Sequence, residues 1–373
     1  MLAETGSPAK AGVVGFAQTL PFMIFSLPAG ALVDRWNRKY VMLAAEAGRA
    51  LALGSIAGSL AFGAIPYAQI VVVAFVEGSL FVFFRLAESA ALPQVVPREQ
   101  LATAVAQNQA RDQGADLVGQ PLGGLLFGIS RLLPFLTDAV SYAVSFVSLL
   151  FVRPAFQETR EPKPLRIRAD IAEGAAWLWR QPFLRMTILL VSGSNFAFSA
   201  VFLALIVRAQ SLGASSAAIG LMLAFIGAGA LVGASFAPMV QRRVPARLVV
   251  IGSLWIWAVV AFALVVFTSP FALGAVWAVA GVFGPVFNVT LSSYRYALVP
   301  DRLLARVGSA ALVVAWGAIP LGQLTAGLLL QSFGSRTALL LLACVMALVA
   351  VAAVSARTIR NAPGVDELLA ASR

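Results

Sequence analysis

The stretch SLPAGALVDRWNRKYVML, from Ser26 to Leu43, joins two long apolar segments through a short charged connector. No charged residue occurs from Ala11 to Val33, and a second apolar run begins at Tyr40. The connector between them holds one acid and three cations, namely Asp34, Arg35, Arg38 and Lys39. Because a helix needs about 20 apolar residues to cross a bilayer, this pattern is typical of a loop between two membrane-spanning helices.

The composition of the whole chain supports a membrane protein. Hydrophobic residues make up 60% of the 373 residues and charged residues 12%, and the mean hydropathy is +0.89. Soluble domains carry about 25% charged residues, so this chain has too little charge to cover a water-exposed surface. The net charge of +11 does not indicate nucleic-acid binding, because the cations lie in short loops rather than on one face or in one tail.

Two residue types exclude whole classes of site chemistry. The sequence has no histidine, which removes a Ser-His-Asp triad, an imidazole proton shuttle and most zinc sites. The one cysteine, Cys344, lies in an apolar run, so no disulfide forms within the chain. The polar loops contain no pairing of a nucleophile with a base. We therefore expect no enzymatic activity, no metal and no cofactor.

Apolar runs of spanning length predict eleven transmembrane helices in two groups. Five lie in a first bundle at 1–152 and six in a second bundle at 183–356, and a polar tail follows at 357–373. The segment 153–182 between the bundles is the one long polar stretch. It becomes amphipathic at IRADIAEGAAWLWR, which favours a helix on the membrane surface.

The positions of the cations predict the orientation. Connectors on one side of the predicted membrane, together with the tail, hold twenty lysines and arginines, whereas connectors on the other side hold four and helix interiors hold three. Cytoplasmic loops are enriched in these residues. We therefore expect a multi-pass protein of the bacterial inner or plasma membrane whose carboxyl terminus is cytoplasmic.

An internal repeat relates the two predicted bundles. VVPREQLA (95–102) recurs as LVPDRLLA (298–305), and VGQPLGGLL (118–126) recurs as LGQLTAGLL (321–329), both at an offset of 203 residues. Repeats of this kind build transporters from two related bundles with a binding site between them. By this symmetry the first bundle lacks one helix, ahead of Ala11.

Two motifs carry a resemblance to a known family. GALVDRWNRK, Gly30 to Lys39, resembles the loop signature G-x-L-a-D-R-x-G-R-K of the major facilitator superfamily, with Asn37 at the usual glycine. The section 92–126 resembles the branch of macrolide-efflux proteins, the enterobactin exporter and the transmembrane secretion effectors. That resemblance implies an all-α fold of two pseudo-symmetric helix bundles. Its members normally have twelve helices, so the chain resembles one that lacks the first helix.

The loop signature implies a gate on the cytoplasmic side. In the family this loop clamps the two halves together, which assigns gate roles to Gly30, Asp34, Arg35, Arg38 and Lys39. Asp34 is expected to face the start of the helix near Arg306, where N–H groups and the helix dipole favour a carboxylate. The cations are also explained by topology alone, so their gate role remains one of two interpretations.

Polar residues inside the predicted helices are candidates for the transport site. Glu77 lies about 15 Å along its helix, where an ionisable group is costly and is usually functional. It is the first candidate for proton coupling, and a structural glutamate that packs two helices is the alternative. Further polar residues of the helix interiors are Asp138, Asn195, Asn288 and Arg295.

Charged residues near the loops form a second group of candidates. Arg85 and Glu88 lie three residues apart on one helical face, as do Glu46 and Arg49, and such pairs more often neutralise each other than bind a substrate. The start of the next helix carries three more, namely Arg111, Asp112 and Asp116. A helix-packing motif follows at Gly119, Pro121, Gly123 and Gly124, in place of the exporter motif G-P-x-x-G-G.

These features predict a secondary transporter that works by alternating access. We expect export of a hydrophobic or amphipathic small molecule, such as a drug or a siderophore, in exchange for protons. The expected partners are therefore this substrate, protons and membrane lipid, and the expected state is a monomer. The alternatives are uptake or facilitated diffusion of a metabolite, or a truncated paralogue or scaffold without transport activity.

Overall fold

The computed structural model describes residues 6–33, 35–63, 65–97, 100–152, 156 and 167–361. These residues form α-helices joined by short turns, and no β-strand occurs among them. The predicted all-α fold is confirmed. Asp34, the acid of the loop signature, lies outside the described residues.

Five long helices make up the described part of the first half. They are α1 (Pro8–Val33), α2 (Arg38–Ala61), α3 (Tyr67–Val95), α4 (Leu101–Ile129) and α5 (Leu133–Phe151). The Asn37 side chain caps the start of α2, where it accepts hydrogen bonds from the backbone N–H groups of Lys39 (3.0 Å) and Tyr40 (3.3 Å). After α2, Gly63 turns the chain at a φ of 78°, which favours glycine.

The second half begins with a shorter helix and continues with long ones. They are α6 (Ile167–Arg180), α7 (Pro182–Ser211), α8 (Ser216–Arg243), α9 (Ala246–Val266) and α10 (Pro270–Leu298). The helical stretch Asp301–Ser355 follows, and Gly334 interrupts it with a φ of 75° and a ψ of 171°. We number its two parts α11 (301–333) and α12 (335–355). A single turn, α13 (Arg357–Arg360), ends the described chain.

Most of these helices are suited to cross a membrane. Among the described residues, nine helical stretches are long and apolar enough, and one of the nine covers both α11 and α12. The helix α4 is also of spanning length, with 29 residues, although its first turns are polar. The described chain therefore has eleven helices of spanning length, five in the first half and six in the second, as predicted.

The helices pack into two groups that meet along two helix pairs. In the first half α1 and α2 pack on α3, and α2 also packs on α5. In the second half α7 packs on the α11–α12 stretch, and α8 packs on α10. The halves meet where α1 contacts α11 and α4 contacts α8. Among the described helices, α7 has no counterpart in the first half, in agreement with the symmetry of the repeat.

Two ends of the bundle are named here for the helices that begin or end there. The basic face is the end at which α1, α3, α5, α8 and α10 end, and the opposite face is the end at which α1 begins. Described cations of the connectors at the basic face are Arg35, Arg38, Lys39, Arg242, Arg243 and Arg247.

The helix α6 is bound to the protein at the basic face. Its Leu178 is buried against Leu303 and Val307 of α11, and Glu173 forms an ion pair with Arg306. Only the outer side of α6, where Trp179 is exposed, is free to lie on a membrane surface as predicted. Apolar contacts with α11 hold its inner side.

Candidate functional site

An ion pair between Arg49 of α2 and Glu77 of α3 lies about halfway along both helices. Nη2 of Arg49 lies 2.7 Å from Oε1 of Glu77, and Nε of Arg49 donates to the same oxygen at 3.2 Å. The side chains are 7% and 14% exposed, respectively. Water screens a buried ion pair poorly. Removing one of the two charges would leave the other buried without compensation. Glu77 therefore has a buried basic partner on the neighbouring helix, and this contact joins α2 to α3.

Three further polar side chains surround this ion pair. The Tyr142 hydroxyl of α5 accepts a hydrogen bond from Nη2 of Arg49 at 2.6 Å, and its ring lies 4.0 Å from the guanidinium carbon. Nε2 of Gln18 donates to the second oxygen of Glu77 at 3.5 Å. Glu46, whose side chain is 3% exposed, lies 3.7 Å from Nη1 of Arg49. Arg49 therefore contacts two carboxylates, those of Glu46 and Glu77, and links α2 to α3 and α5.

The sequence interpretation of Glu46 and Arg49 was incomplete. It placed the two residues near the boundary of the membrane as a self-neutralising pair. Arg49 in fact lies about 17 Å along α2 and is closer to Glu77 than to Glu46. A comparison of depths would have found this, because Arg49 and Glu77 lie at similar distances, twelve and ten residues, from the ends of α2 and α3 at the opposite face.

Gly78 allows α1 and α3 to cross closely beside Glu77. A methyl group added at Gly78 would collide with the backbone carbonyl oxygen of Gln18. The lack of a side chain at Gly78 thus brings the backbone of Gln18 against α3, so that its side chain reaches Glu77. The close crossing of α1 and α3 therefore holds Gln18 beside the Glu77 carboxylate.

Gly78→Ala is expected to lower the free energy of unfolding by about 1–3 kcal/mol, the usual cost of overpacking. Thermal unfolding of the purified protein measures this. Gly58→Ala in α2 is the matched control, because a methyl group there would meet no atom of the described chain within 4 Å. An equal loss for the two variants would contradict the close crossing.

Glu77 and Asp138 line the same cavity, which we call the first cavity. Its volume is about 330 Å³, and it lies between α1, α2, α3 and α5. Its walls are mainly apolar, with Leu53 and Ile70 among them, and its polar lining includes Gln18. The structure thus brings together two carboxyl groups that were predicted separately as cavity residues.

The two halves contact each other most closely toward the opposite face. A methyl group added at Gly327 of α11 would lie 2.8 Å from Cα of Gly12 in α1. In the same way, a methyl group at Gly124 of α4 would lie 2.9 Å from Cα of Gly220 in α8. Gly124 and Gly327 are equivalent positions of the sequence repeat. The two contacts are therefore related by the symmetry of the halves.

Toward the basic face these contacts end. At mid-length, the ring of Phe22 in α1 lies 5.3 Å from the ring of Trp316 in α11. Closer to the basic face, methyl groups at Gly30, Gly114 and Gly308 would meet no atom of the described chain within 4 Å. Among the described residues, the close glycine contacts between the halves thus lie toward the opposite face.

The predicted packing motif of α4 is correct at one glycine and wrong at two. Gly124 packs against α8, but methyl groups at Gly119 and Gly123 would meet no described atom within 4 Å. The residues of α4 that face α8 follow a helical spacing of three and four, which excludes Gly119 and Gly123. Pro121 lies among apolar residues of α4 and α8.

The charged group near the basic face forms a network between α3 and α4. Arg85 lies 3.3 Å from Glu88 and 2.9 Å from Asp112, and Arg111 lies 2.8 Å from Glu88 and 3.1 Å from Asp112. The two arginine side chains are about half exposed, so each pair contributes little to stability. The side chain of Asp116 lies outside the described residues.

Cations of the loop signature bind backbone carbonyl groups of the first half. Arg38 donates from Nη1 to the carbonyl of Ala90 at 2.7 Å, and Lys39 donates from Nζ to the carbonyl of Val152 at 2.6 Å. These carbonyl groups lie at the ends of α3 and α5. Gly30 lies in the last turns of α1, and Arg35 is exposed.

The two asparagines of the second half have different surroundings. Nδ2 of Asn195 in α7 donates to the carbonyl of Ala315 in α11 at 2.9 Å. Ser192 and Ser199 make similar bonds to α11, so this face of α7 holds two helices together. Asn288 lines a cavity of the second half. Asn195 thus joins two helices, and Asn288 lies at a cavity.

The two groups of helices have the fold of membrane transporters of the major facilitator superfamily. Two solved transporters share this fold at low sequence identity. A bacterial homolog to the human lysosomal transporter Spinster, inward-facing and unoccupied, has a TM-score of 0.77 and 14% identity, over 95% of this chain and 90% of that one. The nucleoside transporter NupG has a TM-score of 0.75 and 13% identity, over 96% and 91%.

The chain belongs to the transmembrane secretion effector family, whose sequence profile matches residues 1–368. It is 27% identical to the multidrug efflux pump Tap of Mycolicibacterium fortuitum, over 95% of this chain and 88% of that protein. It is also 27% identical to macrolide efflux protein A of Streptococcus pyogenes, over 40% of this chain and 37% of that protein. The family predicted from the two motifs is confirmed.

Proposed function

We propose that this transporter exports hydrophobic or amphipathic small molecules by alternating access, in exchange for protons that bind Glu77. The observation that carries the proposal is the buried ion pair of Arg49 with Glu77, beside a cavity that Asp138 also lines. The names of the efflux pumps Tap and macrolide efflux protein A support export as the direction.

Proton binding changes the balance of charge at the ion pair. A proton on the Glu77 carboxylate removes its negative charge, and Arg49 then keeps Glu46, at 3.7 Å, as its nearest acid. The hydrogen bonds that join α2 to α3 weaken, because charged pairs bond more strongly than neutral ones. Release of the proton restores the pair. Movement of α2 and α3 between these two arrangements couples the proton to the position of the first bundle.

The basic face is the cytoplasmic face in this proposal, since lysine and arginine are enriched in cytoplasmic loops. The carboxyl terminus then lies in the cytoplasm, and the protein lies in the inner or plasma membrane of a bacterium as a monomer. The close contacts between the halves at the opposite face support a state that is closed on that side and opens to the cytoplasm. A substrate enters from there and leaves after the halves close over the basic face.

The ends of the first bundle contribute to the gate in this proposal. Arg38 and Lys39 fix the start of α2 to carbonyl groups of the first half, which leaves the loop with Asp34 and Gly30 to meet the second half when the basic face closes. The network of Arg85 with Asp112 keeps α3 and α4 together during the movement.

Transport in proteoliposomes tests the proton coupling. Gradient-driven transport of a radiolabelled macrolide and of lipophilic dyes is measured with an imposed pH difference, acidic at the opposite face. Glu77→Gln keeps the size of the side chain and cannot ionise. We expect it to reduce transport to the rate without a gradient, while exchange of substrate for substrate continues.

Glu88→Gln is the matched control, because it makes the same change on the same helix in the network near the basic face. We expect it to keep gradient-driven transport. Coupling through Glu77 is wrong if Glu77→Gln responds to the gradient as the unmodified protein does. Uptake that is driven by the same gradient in the reverse direction would support the alternative of an importer.

A further inference from the structure

Glu46 is a buried acid at a different depth from Glu77. It lies about 22 Å along α2 from the end of that helix at the opposite face, whereas Glu77 lies about 15 Å along α3 from the same side. Glu46 is buried and is outside the lining of the first cavity, which includes Glu77. The two carboxyl groups that Arg49 contacts therefore differ in position, and Glu46 is the one nearer to the basic face.

Arg49 contacts these two carboxyl groups unequally. Its Nη2 and Nε atoms bond to Oε1 of Glu77 at 2.7 Å and 3.2 Å. Its Nη1 atom lies 3.7 Å from Oε1 of Glu46, which is too long for a hydrogen bond. Within the described chain, Oε2 of Glu46 is buried with no hydrogen-bond partner. The guanidinium group is thus the partner of Glu77 in this structure, and Glu46 lacks a bonded counter-charge.

The described neighbours of Glu46 on α3 and α5 are neutral or negative. The helix α2 packs against both of these helices. Ser145 and Tyr142 of α5 lie near the Glu46 carboxyl group, and Glu88 of α3 acts on it as a like charge. Arg49 is therefore the cation on which Glu46 depends among these neighbours.

One cation does not compensate two ionised carboxylates. With Glu46 and Glu77 both charged, the cluster around Arg49 would carry a net negative charge away from water, at high cost. Two carboxylates that share one site therefore do not both ionise readily. Because Glu77 makes both short bonds to Arg49, the arrangement of lowest cost has a charged Glu77 and a protonated Glu46.

The first cavity offers protons a way to Glu77 from the opposite face. Its lining includes Ile65 and Arg131, which lie in connectors at that face, and it extends to Glu77. Asp138 also lines it, about 8 Å along α5 from the end at the opposite face. A volume of about 330 Å³ with polar groups in its walls is sufficient for water. Water in this cavity reaches Glu77, whereas Glu46 lies outside the lining.

We propose that Glu46 is a second proton-binding group, from which a proton leaves toward the basic face in each transport cycle. The proposal rests on the proposed proton exchange at Glu77 and supplies the exit of that exchange. A proton from the first cavity forms an O–H bond at Glu77, and the hydrogen bonds from Arg49 to Glu77 break. Arg49 then bonds to Glu46, whose O–H bond breaks as its proton passes to water at the basic face.

The charges and protons of this exchange balance. Before it, Glu77 is negative, Arg49 is positive and Glu46 is neutral; after it, Glu46 is negative and Glu77 is neutral. One proton is taken up and one is released, so the buried cluster stays neutral. When Arg49 returns to Glu77, the proton of Glu77 passes to Glu46, which restores the starting arrangement. One cycle thus moves one proton from the opposite face to the basic face.

Infrared spectra of the purified full chain, in a detergent without ester groups, test which carboxyl group holds the proton. A protonated carboxyl group has a C=O stretching band that an ionised carboxylate lacks. We expect this band at neutral pH and its loss in Glu46→Gln. We also expect its loss in Glu77→Gln, because Glu46 then becomes the carboxylate that binds Arg49. No gradient or substrate is required, so this result is independent of transport.

Glu88→Gln is the matched control for the spectra, since Glu88 belongs to the network near the basic face. We expect it to keep the band, and the amide bands of the same spectra report whether each variant keeps its helices. A band that survives Glu46→Gln, or an equal loss in Glu88→Gln, would overturn the proposal. A band that survives Glu46→Gln but is lost in Asp138→Asn would place the proton in the first cavity instead.

Transport in the proteoliposomes tests the role of Glu46 as the exit. We expect Glu46→Gln to reduce gradient-driven transport to the rate without a gradient, while exchange of substrate for substrate continues. Glu46→Asp keeps a proton-binding group and is expected to respond to the gradient, a difference from glutamine that a structural role would not produce. If Glu77→Gln abolishes the response and Glu46→Gln keeps it, the exit at Glu46 is wrong and coupling at Glu77 stands. If neither variant changes the response, both proposals are wrong.

Discussion

Arg49→Met is expected to destabilise the protein by about 3–5 kcal/mol, the usual cost of removing one partner of a buried ion pair. The loss is large because Arg49 is the cation that contacts both Glu46 and Glu77. Methionine fills a similar volume, so the effect reports charge rather than a cavity. Unfolding of the purified protein in mixed micelles by added denaturing detergent measures it.

A double variant separates the pair from the rest of the site. Adding Glu77→Gln to Arg49→Met removes the uncompensated carboxylate, and we expect it to recover more than half of the lost free energy. The comparison variant is Arg85→Met, whose side chain is 44% exposed in the network near the basic face. Its expected loss is below about 1 kcal/mol. Losses of the same size at Arg49 and Arg85 would contradict the buried ion pair.

Alanine at Gly124 and Gly327 is expected to shift the transporter away from the state of this structure. Each added methyl group overpacks a contact between the two halves at the opposite face, at a cost of about 1–3 kcal/mol. That cost applies to the state in which the opposite face is closed. If the two states have similar energies, both substitutions together reduce the population of this state about tenfold or more.

Cysteine labelling measures this population. In a Cys344→Ser background, Leu312→Cys places a thiol on the exposed surface of α11, where it lines the same cavity of the second half as Asn288. Its reaction with a water-soluble maleimide is expected to slow about tenfold in the double alanine variant.

Gly119→Ala and Gly123→Ala provide the control for the labelling experiment. They make the same change on the same helix, and their methyl groups would meet no described atom within 4 Å. We expect labelling of the thiol at position 312 to stay at its original rate in these variants. A similar slowing in the controls would show that helix composition, rather than the contact between halves, sets the rate.

The sequence was sufficient for the fold because lipid imposes simple rules on a chain. Mainly apolar runs of about 20 residues are stable in a bilayer as helices, so the eleven helices could be predicted from the lengths of these runs. The repeat at an offset of 203 residues also indicated which helices are equivalent. It anticipated that Gly124 and Gly327 occupy matching positions, although it gave no sign that they contact α8 and α1.

The site was harder to predict because it depends on which helices are neighbours. Glu77 was identified from its depth alone, but its partner Arg49 lies on another helix and was assigned to Glu46, three residues away in the sequence. Gly119 and Gly123 were included in the packing motif with Gly124 because spacing cannot show which side of α4 faces α8. Such choices follow from tertiary packing, which one sequence without structure does not contain.

The unequal distribution of acids has a consequence for how the protein responds to pH. With no histidine in the chain and a single acid from Pro182 to Asn361, the helices from α7 onward keep nearly the same charge across the whole range from mild acid to neutrality. Any response of these helices to protons therefore has to arrive mechanically from the rest of the chain, for example through the crossings of α1 with α11 and of α4 with α8.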